Sequence, residues 1–150
     1  MALEKRISEL TAKVGAIEDS DLMVISDYNG ATYDTKKVTG AQIKPFKTYL
    51  ANITQSSTSA PIVNYSYSEL SGTLTYTRIN VGEYLITNSV AEFILNKTFI
   101  FQNAGDGTII KYYQYLIAST TQIYIYTYNN LGLPADGLIN DNSLEIKIIK

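Results

Sequence analysis

The chain contains no cysteine and no histidine among its 150 residues. These two absences exclude disulfide frameworks, thiolate nucleophiles, Cys/His zinc sites, histidine-ligated haem and every catalytic triad built on an imidazole or a thiol. Tryptophan is missing as well, and proline occurs 3 times. Charge of one sign is also lacking: 12 Lys and Arg stand against 14 Asp and Glu, a formal −2 with a pI near 5.1. No broad basic surface is available for phosphate backbones, so nucleic acid is not expected as a partner. Long hydrophobic runs are absent too, and membrane insertion is not expected. The opening MALEKRISEL carries charges where a signal peptide needs an apolar stretch, which gives the expectation of a soluble chain made in a cytoplasm.

What is present points to β structure. The 13 Tyr, with abundant Ile, Thr and Asn, suit a pleated, half-buried surface. A chain of this length buries about 70% of its unfolded surface, enough for one domain, or one domain with a small appendage, to stand without staples.

Three zones follow one another. Residues 1–17 place Leu3, Ile7, Leu10, Val14 and Ile17 at heptad-like spacing. Such a helix or arm is too short to be stable alone and must pack on its own domain or on copies of itself. In the second zone Leu22-Met23-Val24-Ile25 reads as a strand, Asn29-Gly30 as a tight hairpin turn, and Ala31 to Val38 as the returning strand. A short helix from Thr39 or Gly40 through Lys44 should stop at Pro45. The domain division expected is 1–47 for the attachment arm with its hairpin and 48–150 for the body.

The body carries short alternating or apolar runs separated by turn residues. Strands are expected near 48–54, 61–67, 73–79, 83–88, 98–103, 109–117, 121–128 and 143–149, with one helical turn between Val90 and Asn96 and a hairpin turn at Gly105-Asp106-Gly107. The fold class expected is mainly β, an antiparallel β-sandwich with a short N-terminal helix or arm and a hairpin appendage. In the run Gln122 to Tyr128, Ile123 and Ile125 share one face, and Tyr124, Tyr126 and Tyr128 the other. The neighbouring run Ile109 to Ile117 adds Tyr112, Tyr113 and Tyr115, and the face opposite the core displays a tyrosine ladder, with Tyr112, Tyr124, Tyr126 and Tyr128 as its candidates, open to three readings: aromatic cross-strand packing, a subunit interface, or a ligand face for glycan.

Catalysis finds little to work with. There is no S-x-x-K pair and no G-x-S-x-G elbow. The body's acids, Glu69, Glu83, Glu92, Asp106, Asp136, Asp141 and Glu145, fall at predicted turns and strand edges, where a solvated carboxylate is the ordinary occupant. The cluster Glu18-Asp19-Ser20-Asp21 with Asp27 lacks the glycine and final acid of a calcium loop, so helix capping or plain solvation by Asp19 and Asp21 is the simpler role. Neither an enzyme nor a cofactor or metal is expected.

Two stretches carry a resemblance. KRISEL followed by SDLMVISDYNGATYDTKKVTGAQIK resembles the N-terminal segment recurrent in fibre and appendage proteins of tailed bacteriophages. The ending ADGLINDNSLEIKIIK is similar to the C-terminus of a β-rich domain in virion proteins of phages infecting Bacteroides-type gut bacteria, with Lys147 and Ile148 where Arg and Val are frequent. Between Ser66 and Asn96 the match is in alternation and turn spacing only. The resemblance implies a virion structural protein, a head (capsid) or tail fibre subunit without catalytic residues. It would be made in the host bacterial cytoplasm, attached to the virion by the N-terminal segment, and carry its β domain outward. Phage capsid or tail proteins and copies of the chain itself would be its partners, a trimer ahead of a dimer because fibres are most often trimeric. The alternative is a carbohydrate-binding module in which Tyr112, Tyr124, Tyr126 and Tyr128 meet a glycan; a host surface glycan could also be the target of a fibre.

Overall fold

The computed structural model describes residues 22–28, 30–103 and 111–150. The chain divides into two compact units, Met1–Lys44 and Pro45–Lys150. The candidate anchor residues Leu3, Ile7, Leu10, Val14 and Ile17 lie outside the described residues, as do the acid cluster at 18–21 and the Gly105-Asp106-Gly107 turn.

In the first unit, strand β1 (Leu22–Tyr28) pairs antiparallel with β2 (Tyr33–Thr39), Leu22 opposite Thr39 and Tyr28 opposite Tyr33. Residues 29–32 separate the paired strands, so the loop is two residues longer than the tight Asn-Gly turn expected; Gly30 takes the positive φ (+95°) that such a loop needs. Helix α1 (Gly40–Ile43) follows at once. Its start is written in T-x-x-Q: the Thr39 hydroxyl accepts from the Gln42 N–H at 3.3 Å, and Gln42 Oε1 accepts from the Thr39 N–H at 2.7 Å. This capping box satisfies donors that the first turn cannot.

The second unit is a β-sandwich. Among the described residues, β4 (Ile62–Ser68), β3 (Phe46–Thr54), β10 (Asn142–Ile149) and β7 (Thr98–Gln102) form one antiparallel sheet in that order. The facing sheet runs β5 (Leu74–Asn80), β6 (Glu83–Asn88), β9 (Gln122–Tyr128), β8 (Tyr112–Ile117). The expected antiparallel sandwich is what forms. Strands β7 to β10 make a Greek key: β7 crosses to β8, β8 turns into β9, and β10 returns beside β7.

Period-two alternation decides which side chains fill the space between the sheets. Tyr49, Ala51 and Ile53 of β3 and Leu144, Ile146 and Ile148 of β10 face Tyr84, Ile86, Ile123 and Ile125 from the other sheet, and all are buried. Truncating one of the fully buried isoleucines to Ala costs roughly 2–5 kcal/mol. Strand β8 starts after Lys111, and the first part of the strand expected over 109–117 lies outside the described residues. One expectation needs correction. Residues 90–96 form no helix, because the N–H groups of Glu92 and Phe93 both donate to the Thr120 carbonyl and are withdrawn from helical bonding; one turn closes at Ile94–Thr98 instead.

Candidate functional site

Of the body's acids, Asp136 and Glu92 are enclosed clamps, contrary to the expectation of solvated turn residues. Asp136 lies in the β9–β10 connection with its side chain 14% exposed. Its Oδ2 accepts from Arg78 Nη2 at 2.7 Å, and its Oδ1 accepts from the Gly82 N–H at 3.0 Å and the Tyr84 hydroxyl at 2.8 Å. Arg78 holds the carboxyl down at about 2, with help from Gly82 and Tyr84 against a smaller opposing effect of burial. The carboxylate is a permanent anion at neutral pH, tying β5, the β5–β6 turn and β6 to the loop before β10. Glu92 does the same elsewhere. It pairs with Lys47 at 2.6 Å and accepts from the Ser71 N–H at 2.9 Å and Asn88 Nδ2 at 3.2 Å. Burial alone would raise its pKa, yet these donors outweigh burial and hold it below the ordinary value. Asp141 accepts from Thr54 and Asn64, and Glu69 accepts from the Thr48 N–H. Among the described residues no cluster of acids stands ready to hold a metal ion.

Tyr49, Tyr76 and Tyr113, which face inward, are equally committed. The Tyr49 and Tyr76 hydroxyls meet at 3.2 Å, and Tyr113 donates to the Leu138 carbonyl at 2.9 Å while accepting from Asn142 at 2.7 Å. Burial raises the pKa of Tyr49, Tyr76, Tyr84 and Tyr115 above the usual phenol value. They remain neutral phenols in the core, unsuited to act as bases.

The four tyrosines singled out in the sequence do share a face. Tyr124, Tyr126 and Tyr128 of β9 line the outer side of the β5-β6-β9-β8 sheet, half-buried, and Tyr112 of β8 stands opposite Tyr128, 52% exposed. Tyr113 and Tyr115 turn inward. The Tyr124 and Tyr126 rings stack on one another, 5.9 Å apart and 11° from parallel, and the Tyr128 hydroxyl reaches Gln114 at 3.5 Å. Much of the ladder is therefore spent on its own packing.

A second aromatic face was not anticipated. The outer side of the β4-β3-β10-β7 sheet exposes Tyr65 and Tyr67 at one edge and Phe99 and Phe101 at the other. Two rows cross it. Tyr67, Leu50, Glu145 and Phe101 stand abreast, and so do Tyr65, Asn52, Ser143 and Asn103. A β-bulge at Asn52/Ile53 makes this arrangement. With Ile53 opposite Val63, an unbroken register would set Tyr65 against Ala51, on the core side. The extra residue sets it against Asn52 instead and turns both tyrosines outward. Asn64, the inserted residue, is fixed by its Nδ2, which donates to Asn52 Oδ1 at 2.8 Å and Thr54 Oγ1 at 2.9 Å. Between the aromatic edges lies a groove of about 550 Å³, lined by Leu50, Asn52, Tyr65, Phe101, Asn103, Ser143 and Glu145 among others. Its single carboxylate, Glu145, is paired with Lys147 at 3.0 Å. The alternation that puts Phe99 with Phe101 was legible in TFIFQ; the bulge and the shared sheet were not.

Compared with known proteins, the chain matches no family model, no curated protein and no solved structure.

Proposed function

We propose that the chain is a non-enzymatic virion structural protein, a phage head (capsid) or tail fibre subunit attached through its N-terminal segment and carrying the β-sandwich outward. The observation that carries this reading is a sandwich whose enclosed acids are engaged as clamps while both sheets present aromatic side chains on their outer faces. Exposed aromatic faces of this kind support a role in contacts with partners. The ending ADGLINDNSLEIKIIK, which carries half of the resemblance, is also where the fold closes: it holds the Asp136 clamp, buried Leu138 and Ile139, and the central strand β10. The partners would be copies of the chain, as a trimer ahead of a dimer, and a capsid or tail protein.

Sedimentation of the full chain beside a chain lacking residues 1–44 tests the reading. The second unit owns its core, so the shortened chain should fold and fall to a monomer, and a particle built with it should lack the subunit. A shortened chain that still decorates particles normally would remove the N-terminal segment as the anchor. An oligomer that survives the deletion would move the subunit contact to the sandwich.

A further inference from the structure

We propose that the groove between Tyr65 and Phe101 on the outer face of the β4-β3-β10-β7 sheet binds a neutral saccharide. Its volume, about 550 Å³, falls in the range of small-ligand sites, which run from about 300 to 1,000 Å³. Three inter-strand steps of about 4.8 Å set β4 and β7 roughly 14 Å apart, with Leu50, Asn52, Ser143 and Glu145 on the strands between them. The walls are open rings: Tyr65 is 73% exposed and Phe101 53%. Unlike Tyr124 and Tyr126, neither is stacked on another ring among the described residues.

The floor supplies the polar half of the match. Asn52 Oδ1 is taken by Asn64, and Asn103 Oδ1 by the Ser143 N–H at 2.9 Å, which fixes both amides and points their identity. Among the described residues the Nδ2 groups of Asn52 and Asn103 and the hydroxyl of Ser143 have no protein partner. Two fixed amide donors, a hydroxyl and the Glu145 carboxylate can serve ring hydroxyls, each of which both donates and accepts. The ring faces take the apolar C–H side of a sugar.

Charge selects against other occupants. Glu145 is already neutralised by Lys147, so the groove has no net charge to recruit an ionic ligand. A second sheet lying flat on this face would have to bury that ion pair at the middle of the contact, a desolvation cost that the neighbouring Leu50 offsets only in part. A neutral, hydroxyl-rich ring lying along the valley leaves the pair wet at one side. This assignment does not depend on the virion reading, and it places the saccharide on the sheet opposite to the tyrosine ladder.

The full chain should be applied to a printed array of neutral oligosaccharides of hexoses and N-acetylhexosamines, with sialylated and sulfated ones alongside, and the best ligand titrated by NMR. The expected result is retention of at least one neutral saccharide, with the amides of Asn52, Asn103 and Ser143 shifting on titration. Tyr65→Ala and Phe101→Ala should each weaken binding about tenfold, the worth of one aromatic contact, at unchanged melting temperature. Tyr124→Ala should leave it unchanged. The amide shifts of the unaltered chain decide the matter if either variant fails to fold. No neutral saccharide retained, retention of acidic ones only, shifts confined to the tyrosine ladder, or a dimer dissolved by Phe101→Ala in a chain that binds no sugar would each overturn the proposal.

Discussion

Removing the carboxylate of Asp136 should unlock one end of the sandwich. Asp136→Ala deletes the acceptor of the Arg78 guanidinium, the Gly82 N–H and the Tyr84 hydroxyl together. Tyr84 has no exposed surface, so its hydroxyl would be left with a desolvation penalty of roughly 1–3 kcal/mol. Charge-assisted bonds are worth about 1.5–3 kcal/mol apiece but do not add, because the three donors share one carboxylate; a total near 3 kcal/mol is expected. Asp136→Asn keeps an oxygen for Gly82 and Tyr84 and should cost less, about 1–2 kcal/mol. Urea unfolding reads this directly: at a slope of about 2 kcal/mol/M, the Ala variant's midpoint should fall by roughly 1.5 M with the slope unchanged. The same carboxyl makes an acid-sensitive contribution. Its folded pKa, about 2, lies below the ordinary 3.8, so the stabilisation is complete above the ordinary value and is lost as pH falls through that interval. Discounted for solvent screening of this partly exposed group, it amounts to about 1–2 kcal/mol, and the gap between the natural chain and Asp136→Asn should close as pH falls from about 4 to 2. A midpoint shift worth less than about 0.5 kcal/mol for Asp136→Ala, or a gap independent of pH, would refute the clamp.

Other consequences are as direct. Gly82→Ala places a Cβ 2.5 Å from the Thr127 carbonyl oxygen and 2.6 Å from the Ala135 nitrogen, at a φ of +65°, whereas Gly132→Ala at +73° meets nothing within 4 Å. Thermal melts should show a loss of about 1 kcal/mol at Gly132 and clearly more at Gly82; equal losses would disprove the close approach of the turn to β9 and the Asp136 loop. Among the described residues the Tyr115 hydroxyl is buried without a partner, while that of Tyr113 bonds both Leu138 and Asn142. Tyr115→Phe should therefore be neutral or stabilising by up to about 1 kcal/mol and Tyr113→Phe destabilising by about 1–2, measured by chemical denaturation; the reverse order would contradict the packing at the β8 edge.

Strand positions were legible because a half-buried strand needs alternation, and IYIYTY or LEIKII can place their apolar residues on one side in no other way. Turn residues marked most of the breaks, and a short helix from Thr39 or Gly40 up to Pro45 was legible, while the Thr39–Gln42 capping box that starts it appeared only in the structure. The Val90–Asn96 segment misled because its spacing resembles a helical turn while its N–H groups are claimed by Thr120, a residue far along the chain. The candidate site was half legible. The ladder Tyr112, Tyr124, Tyr126 and Tyr128 was visible because β8 and β9 are neighbours in sequence as well as in space.

The groove was hidden for the opposite reason. Tyr65 and Phe101 come from the two edges of one sheet, whose interior strands are drawn from the beginning and end of the domain. One inserted residue in β4 decides on which side Tyr65 emerges, and period two makes that a choice between core and solvent. Asp136 likewise reads as a turn acid until the Greek-key return brings it to Arg78. Composition and alternation determine that these segments become strands and which faces can be apolar, since those are local demands of the pleat. Sheet order, register and the partners of buried charge depend on contacts between segments distant in the chain, and only the folded sandwich brings these together.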